Sequence, residues 1–182
     1  MDRLESPVPY GTAVSADDTH TLRYVLSLPQ AVEDVWNAVA TQEGLPGWLA
    51  AADPFVRREG GAITLRWQNT DEHGTATVAP GQVTGWGPTR LAEYTVAVHG
   101  RIRFELQPAA GPGASGTRLR FTNEINGSPS CRLDCLAGWH HHFEFLLDAL
   151  AGRRKDWSAW NLDRWRELRA DYARAGVSAG AG

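Results

Sequence analysis

The sequence predicts an α+β fold in which a curved antiparallel sheet wraps around one long C-terminal helix. Short segments with alternating apolar and polar residues follow one another from about residue 20 to residue 125. A helical segment then carries an apolar stripe at spacings of three and four residues. Because all the strands are consecutive, they pair antiparallel, and the helix has to cover their apolar face. The stripe consists of Leu133, Leu136, His140, Phe143, Leu147 and Leu150.

Composition narrows the class of protein. A chain of 182 residues with 42% hydrophobic and 21% charged residues is typical of one soluble globular domain. A net charge of −3 does not favour a nucleic-acid partner. No run approaches the roughly 18 apolar residues of a membrane span, and the N-terminus lacks the basic start of a secretory signal. With only Cys131 and Cys135, no disulfide framework is expected, and we predict a cytoplasmic location.

The first elements follow from the alternation and the helix breakers. A strand is predicted at His20–Leu28 and a short helix at Ala31–Thr41, which Gly44 and Pro46 terminate before a second helical turn. The strand at 75–86 contains Pro80 and Gly81 and is expected to bend or to lie at a sheet edge. The other strands are predicted at 63–67, 94–98, 102–106 and 117–125.

The C-terminal third is predicted to be helical. Ser128 is the expected N-cap of the long helix, with Pro129 in its first turn and Gly152 at its end. A last amphipathic helix is predicted at 158–175. Residues 153–175 carry seven basic and four acidic groups, and we expect this tail to dock on the acidic body or to stay solvated. The predicted divisions are a flexible lead-in at 1–18, a domain at 19–153, and a C-terminal helix with a disordered end at 154–182.

Five pieces of the chain, in order, resemble the START-like (SRPBCC) helix-grip superfamily. The resemblance is greatest to its bacterial group related to the C-terminal domain of the activator of heat-shock protein 90 ATPase. The resemblance covers residues about 20–153 and implies a helix-grip fold. The pieces are VEDVWNAVATQEGLPGWLA (32–50), GGAITLRW (60–67), PGQVTGWGPTRLAEYT (80–95), TRLRFTNEI (117–125) and AGWHHHFEFLLDALAGR (137–153).

The resemblance leaves the function open, since such relatives include co-chaperone domains, lipid carriers and cyclases. A eukaryotic-type co-chaperone would carry a separate N-terminal domain. Here a short tail precedes the first predicted strand, which argues against that role.

The histidine triplet does not predict a metal site. Consecutive helical residues are about 100° apart, so His140, His141 and His142 do not converge on one ion. We expect His141 on the outer face of the helix and His142 on its flank. His140 lies in the apolar stripe, either as a polar group inside a cavity or as a core histidine bonded to a hydroxyl or carbonyl.

A zinc site on the long helix is the alternative interpretation of the two cysteines. Cys131, Cys135 and His142 share one side of the helix, but zinc needs a fourth ligand. Two thiols packed against the sheet are the simpler interpretation. No metal and no cofactor is predicted.

A curved sheet that grips a helix leaves a gap, which is a natural cavity for a small ligand. Asn123 is the polar exception on an apolar strand face, and Tyr94 has a phenol that needs a partner if it is buried. Trp48 and Trp139 are candidates for the cavity mouth, whereas Trp157, Trp160 and Trp165 are expected to cover the body or a partner subunit. The predicted ligand-binding residues are Trp48, Trp67, Tyr94, Phe104, Phe121, Asn123, Trp139, His140, Phe143 and Leu147.

Three functions are compatible with these patterns. The first is binding of a small hydrophobic ligand, lipid-like or aromatic, in the cavity. The second is a cyclase, aromatase or hydrolase on the same fold, with His140 as general acid or base. The third is a chaperone-modulating or stress-response interaction module that docks through the tail helix. No phosphate loop, nucleophile elbow or paired buried carboxylates require an enzyme, and a homodimer through the C-terminal helix is a further expectation.

Overall fold

A computed structural model, which describes residues 6–176, has the predicted α+β architecture: one eight-stranded antiparallel sheet and three α-helices. The strands are β1 (Thr12–Ala16), β2 (Thr19–Leu28), β3 (Ala50–Phe55), β4 (Ala62–Trp67), β5 (Val78–Gly87), β6 (Leu91–Val96), β7 (Gly100–Pro108) and β8 (Thr117–Asn126). The helices are α1 (Val32–Ala40), α2 (Pro129–Leu150) and α3 (Asp163–Arg174), with 3-10 turns at Leu45–Gly47 and Trp157–Ala159.

The strand order is β1-β2-β8-β7-β6-β5-β4-β3, and every neighbouring pair is antiparallel. Neighbours in the sheet are consecutive in the chain except where β8 returns to pair with β2, so that β7 and β6 occupy the middle of the sheet. The ladder is irregular between Ala52 and Phe55 and between Val83 and Gly85, and such bulges bend a sheet. The helix-grip fold implied by the resemblance is confirmed, with α2 lying in the curve of the sheet.

Two strands were not predicted, and both lie at a sheet edge. β1 falls inside the segment expected to be a flexible lead-in, yet it pairs with β2 along Thr12–Ala16, and Val8 before it is buried. β3 has the sequence AAADPF, in which alanines and a proline give little strand signal. An edge strand has one neighbour and buries few large side chains, so its alternation is weak.

The long helix begins and ends as predicted. The Ser128 side chain accepts a hydrogen bond from the backbone N–H of Cys131, and Pro129 occupies the first turn. Gly152, with φ of 87°, follows the last turn in the left-handed conformation that favours glycine.

Aromatic rings of α2 and of the central strands fill the middle of the groove. Phe143 from α2 lies 5.0 Å, centroid to centroid, from both Phe121 of β8 and Tyr24 of β2. Phe121 in turn lies 5.2 Å from Phe104 of β7 and 4.4 Å from Trp139 of α2. Such contacts combine burial of large apolar area with favourable edge-to-face geometry. They lock the helix to the centre of the sheet.

The C-terminal segment covers the side of α2 that faces away from the sheet. α3 begins five residues later than predicted, at Asp163, because the Trp157–Ala159 turn and an extended link precede it. Leu168 and Tyr172 of α3 are fully buried. The Tyr172 hydroxyl accepts a hydrogen bond of 2.9 Å from the backbone N–H of Gly11, which joins the segment before β1 to α3.

Phe143→Ala should lower the free energy of unfolding by about 3–5 kcal/mol, because it opens a cavity where four aromatic rings meet. Urea unfolding followed by circular dichroism measures the change. The matched control is Val25→Ala on the exposed face of β2, where Val25 is 43% exposed and the expected change is within about 0.5 kcal/mol. Equal losses in the two variants would contradict this account of the core.

Candidate functional site

A cavity lies at one end of the groove between the sheet and α2. It has a volume of about 370 Å³ and is bounded by the end of β4, the segment that leads into β5, the turn between β6 and β7, the first half of α2, and residues 160–166. The sheet, the long helix and the C-terminal segment each supply a wall. The volume is within the range of about 300–1,000 Å³ that is usual for small-molecule sites.

Indole rings make up most of the apolar wall. Trp67 comes from β4, Trp139 from α2, and Trp160 and Trp165 from the C-terminal segment. Three of these indoles donate their N–H to partners inside the protein. The Trp139 N–H donates to Asn123 Oδ1 (2.9 Å), the Trp160 N–H to the Thr70 carbonyl (2.9 Å), and the Trp165 N–H to the Asp134 carbonyl (3.1 Å). A buried indole N–H needs such a partner, and each bond fixes the orientation of a ring.

The turn between β6 and β7 brings His99 to the cavity. Val98 and Gly100 on either side have positive φ of 69° and 63°, and the His99 ring stacks on Trp67 with centroids 4.2 Å apart. The Asn123 amide donates to the carbonyls of His99 (2.7 Å) and Arg101 (3.0 Å) and thereby holds the turn against β8. Burial lowers the pKa of His99 to about 4, so its imidazole is neutral at physiological pH.

His142 is the second imidazole in the wall. Its Nδ1 lies 2.9 Å from the carbonyl oxygen of Trp48, and its ring is nearly parallel to Trp160, at 14°. Burial lowers the pKa of His142 to about 4, although the hydrogen bond to Trp48 opposes that shift. A carbonyl only accepts, so Nδ1 carries the proton and Nε2 keeps a lone pair.

Charged groups gather at the margin of the cavity. The lining includes three carboxylates, those of Asp71, Glu72 and Asp134, and one guanidinium, that of Arg166. Backbone N–H donors from Thr75 and His73 lower the pKa of Asp71, which keeps that carboxylate ionised. The margin therefore has a negative balance.

Asn69 is a further polar residue in the wall. Its Oδ1 is buried and has no hydrogen-bond partner among residues 6–176. A buried acceptor without a partner is unusual in a folded protein and costs free energy.

The structure brings two of the ten predicted ligand-binding residues, Trp67 and Trp139, to the cavity. The other eight do not line it. They are packed in or around the central core: Trp48, Tyr94, Phe104, Phe121, Asn123, His140, Phe143 and Leu147.

The polar groups expected to orient a ligand already have partners in the protein. The Tyr94 hydroxyl donates to the Val39 carbonyl at 2.8 Å, and both ends of the Asn123 amide are used. His140 is a core histidine: its Nδ1 lies 2.8 Å from the Tyr172 hydroxyl and its Nε2 lies 2.8 Å from Ser6 Oγ. These groups are therefore hydrogen-bonded within the protein and do not line the cavity.

The expected exposure of the other two triplet histidines is wrong. His141 and His142 are 6% and 5% exposed, because α3 and the segment before it cover that face of α2. His141 packs between Phe145 and Trp160, with centroids 4.4 and 5.1 Å away. Burial, helped by nearby positive groups, lowers the pKa of His141 to about 3.

Several residues that line the cavity were not predicted from the sequence to do so. Trp160 and Trp165 were expected to cover the body, which they do, but they also line the cavity. His142 lies one position before Phe143 of the apolar stripe, and helical periodicity alone placed it on the flank of the long helix. The one available signal was the density of tryptophans between 157 and 165, which are too large to remain in water.

The cysteines do not form part of a metal cluster. Both are free, and Cys135 contributes to the cavity wall. Within residues 6–176, no three side chains of His, Cys, Asp or Glu come together as a metal site. No helix in the same part of the chain is long and apolar enough to span a bilayer.

Acid should destabilise the protein through its buried histidines. The folded-state pKa values of His140, His141 and His142 are lowered to about 4, 3 and 4, while unfolded histidine titrates near 6.5. The unfolded state therefore binds more protons, so the histidine contribution is complete above about pH 6.5 and is lost as the pH falls towards about 4. His141→Leu should reduce the slope of unfolding free energy in this window by up to about 1.4 kcal/mol per pH unit.

Urea unfolding at a series of pH values measures that slope. His141 makes no hydrogen bond among residues 6–176 that the leucine would leave unpaired, and its Nδ1 is buried without a partner. Above pH 7 the two slopes should coincide. Identical slopes between pH 4 and 6 would show that His141 does not remain neutral in the folded state.

Comparison with solved structures gives the same fold over most of the chain. A conserved protein of unknown function, EF2215 from Enterococcus faecalis, is 14% identical with a TM-score of 0.65, and the match covers 91% of this chain and 89% of that one. The protein encoded by BPP1335 from Bordetella parapertussis is 22% identical with a TM-score of 0.63, covering 94% and 95%. CalU16 from Micromonospora echinospora is 17% identical with a TM-score of 0.61, covering 92% and 96%.

No curated protein matches the chain. The family model for "Activator of Hsp90 ATPase homolog 1-like protein" matches residues 30–151, from the start of α1 to the end of α2. This span is two thirds of the chain and contains the sheet from β3 to β8 together with the helix that it grips. The chain belongs to the activator of Hsp90 ATPase homolog 1-like family.

Proposed function

We propose that this protein binds a small, planar aromatic ligand in the cavity at the end of the groove. The observation that carries the proposal is the wall of four indoles, Trp67, Trp139, Trp160 and Trp165. Aromatic rings held in fixed orientations offer flat apolar surfaces at little cost in side-chain entropy on binding. The cavity therefore fits a rigid ring system better than a long flexible chain.

The size of the cavity further narrows the class of ligand. At about 370 Å³ it is near the lower end of the usual range for small-molecule sites. A fused aromatic compound of two or three rings would occupy such a space, whereas an acyl chain of membrane-lipid length would have to extend beyond it. Of the two ligand types expected from the sequence, lipid-like and aromatic, these dimensions favour the aromatic one.

The position of the proposed site differs from the expected one. The expected cavity lay between the curved sheet and the long helix, with His140, Asn123 and Tyr94 orienting the ligand. Aromatic side chains occupy the middle of that space and those polar groups bond to the protein. The proposed site is the cavity at the end of the groove, where the C-terminal segment supplies one wall.

The other two functions have less support. In the enzyme hypothesis His140 is the acid or base, but it is fully buried and bonded to two hydroxyls. In the interaction hypothesis the tail exposes an apolar surface, but Trp157 donates its N–H to the Pro46 carbonyl at 2.8 Å and packs on Phe145. The homodimer through the C-terminal helix stays a prediction, since the buried face of α3 packs on α2 of the same chain.

Gly138→Leu should abolish binding of an aromatic probe, while Gly138→Ala should preserve it. Gly138 lies in the cavity wall, and a Cβ there would meet only Trp165 Nε1, at 3.9 Å. A leucine side chain would project into the space between the indoles, but a single methyl group occupies little of it. Isothermal titration calorimetry with 2-naphthol measures both variants against the natural protein. Equal binding by all three proteins would place the probe elsewhere and overturn the proposed site.

Gly138→Ala should also raise the free energy of unfolding by about 0.5–1 kcal/mol. Glycine in the interior of a helix costs that much relative to alanine, because it loses more backbone freedom on folding. Gly138 is ten residues into α2, and the added methyl group makes no close contact. Urea unfolding of the ligand-free protein measures the gain; a loss of stability would mean that the wall at Gly138 is closed.

A further inference from the structure

We propose that the ligand carries an aromatic hydroxyl group, and that this group donates a hydrogen bond to Nε2 of His142. The inference rests on the proposed function, because it assigns the polar chemistry of the same cavity. It depends on three features: the tautomer of His142, the charge at the cavity margin, and the unpaired amide oxygen of Asn69.

The protein itself sets the tautomer of His142. The carbonyl oxygen of Trp48 lies 2.9 Å from Nδ1 and has no proton to give, so Nδ1 is the donor of that bond. The neutral ring then presents only a lone pair at Nε2. Among residues 6–176 the sole hydrogen bond of the ring is the one to Trp48, and the residue lines the cavity. The imidazole therefore offers an acceptor to a ligand and no donor.

Charge at the margin acts against an anionic ligand. The carboxylates of Asp71, Glu72 and Asp134 outnumber the Arg166 guanidinium. Asp134 already accepts a hydrogen bond from Arg169 at 2.5 Å, which offsets part of its charge. Arg166 is exposed and lies 3.5 Å from Asp163, so it does not offer a free cation to a ligand carboxylate. A neutral ligand avoids both repulsion and the cost of leaving its own charge unpaired.

The unpaired Oδ1 of Asn69 is a second acceptor in the same wall. Together with Nε2 of His142 it gives the wall two acceptors that receive no hydrogen bond from residues 6–176. A phenolic O–H supplies a donor and remains uncharged near neutral pH, since such hydroxyls ionise near pH 10. An ether or a ketone of the same shape supplies acceptors only and would leave His142 unpaired.

The arrangement binds the hydroxyl without deprotonating it. Burial keeps the pKa of His142 near 4, several units below that of a phenol, so the proton stays on the ligand oxygen. The imidazole acts as a hydrogen-bond acceptor that selects a ligand, and no proton transfer is part of the proposal.

Three probes of one shape test the inference: 2-naphthol, 2-methoxynaphthalene and 2-naphthoate, each titrated calorimetrically at pH 7. The natural protein should bind 2-naphthol about 2- to 12-fold more tightly than the methyl ether, which is the range that one net hydrogen bond provides. The naphthoate anion should bind more weakly than 2-naphthol. An ether or a naphthoate that binds as tightly as 2-naphthol would overturn the inference and leave the aromatic site intact.

His142→Asn is the matched variant. The amide nitrogen of asparagine occupies the position of Nδ1 and keeps the donor to Trp48, but the acceptor at Nε2 is removed. The preference for 2-naphthol over its ether should fall to about one, while binding of the ether changes little. Because the steric effect of the methyl group is the same in both proteins, the change in the ratio isolates the hydrogen bond.

The outcomes separate the inference from the proposed function. An unchanged ratio in folded His142→Asn would show that His142 does not accept the bond. Absence of binding by all three probes to the natural protein would overturn both the site and the inference. A thermal melt of His142→Asn confirms that it is folded; should it not fold, the probe series on the natural protein still decides whether a donor is preferred.

Discussion

The contact between Phe143 of α2 and Phe121 of β8, with ring centroids 5.0 Å apart, is the packing constraint on which the rest of the structure depends. It lies where the central strands and the long helix meet, and Tyr24 and Trp139 join it from either side. Because protein interiors are close-packed, a groove filled with rings at its centre has no space for a ligand there. A cavity remains at the end of the groove near Trp67 and His99.

At the proposed site, buried polar atoms hold the walls of the cavity in place. The Asn123 amide connects the turn that carries His99 to the indole of Trp139, so one side chain of β8 positions groups on two walls. The Trp160 and Trp165 indoles are tied to backbone carbonyls in the same way. Walls that are fixed in this way would reduce the entropy lost on binding of the proposed ligand. Asn123, which the sequence suggested would contact ligand, instead positions residues that line the cavity.

Much of the fold could be predicted from the sequence, because β2, β4, β7 and β8 alternate large apolar and polar residues and α2 carries a continuous stripe with a clear N-cap. The edge strands β1 and β3 could not, since alanines and short spans give weak patterns. Alternation also identified which strand residues point inward. It could not show whether inward rings leave a gap or fill it, because that depends on how side chains from distant elements interdigitate. The burial of His142 depends on where the C-terminal segment returns, which is a long-range property of the chain.

The eight tryptophans can report directly whether a ligand binds at the end of the groove, as we propose, or in its middle. Each indole N–H gives its own signal in a ¹⁵N-labelled NMR spectrum, which is recorded while 2-naphthol is added. We expect the largest changes at Trp67, Trp139, Trp160 and Trp165, with Trp36 and Trp86 unchanged, because those two pack against each other outside the cavity wall. Changes centred on Trp48, or on Trp36 and Trp86, would contradict the proposed site.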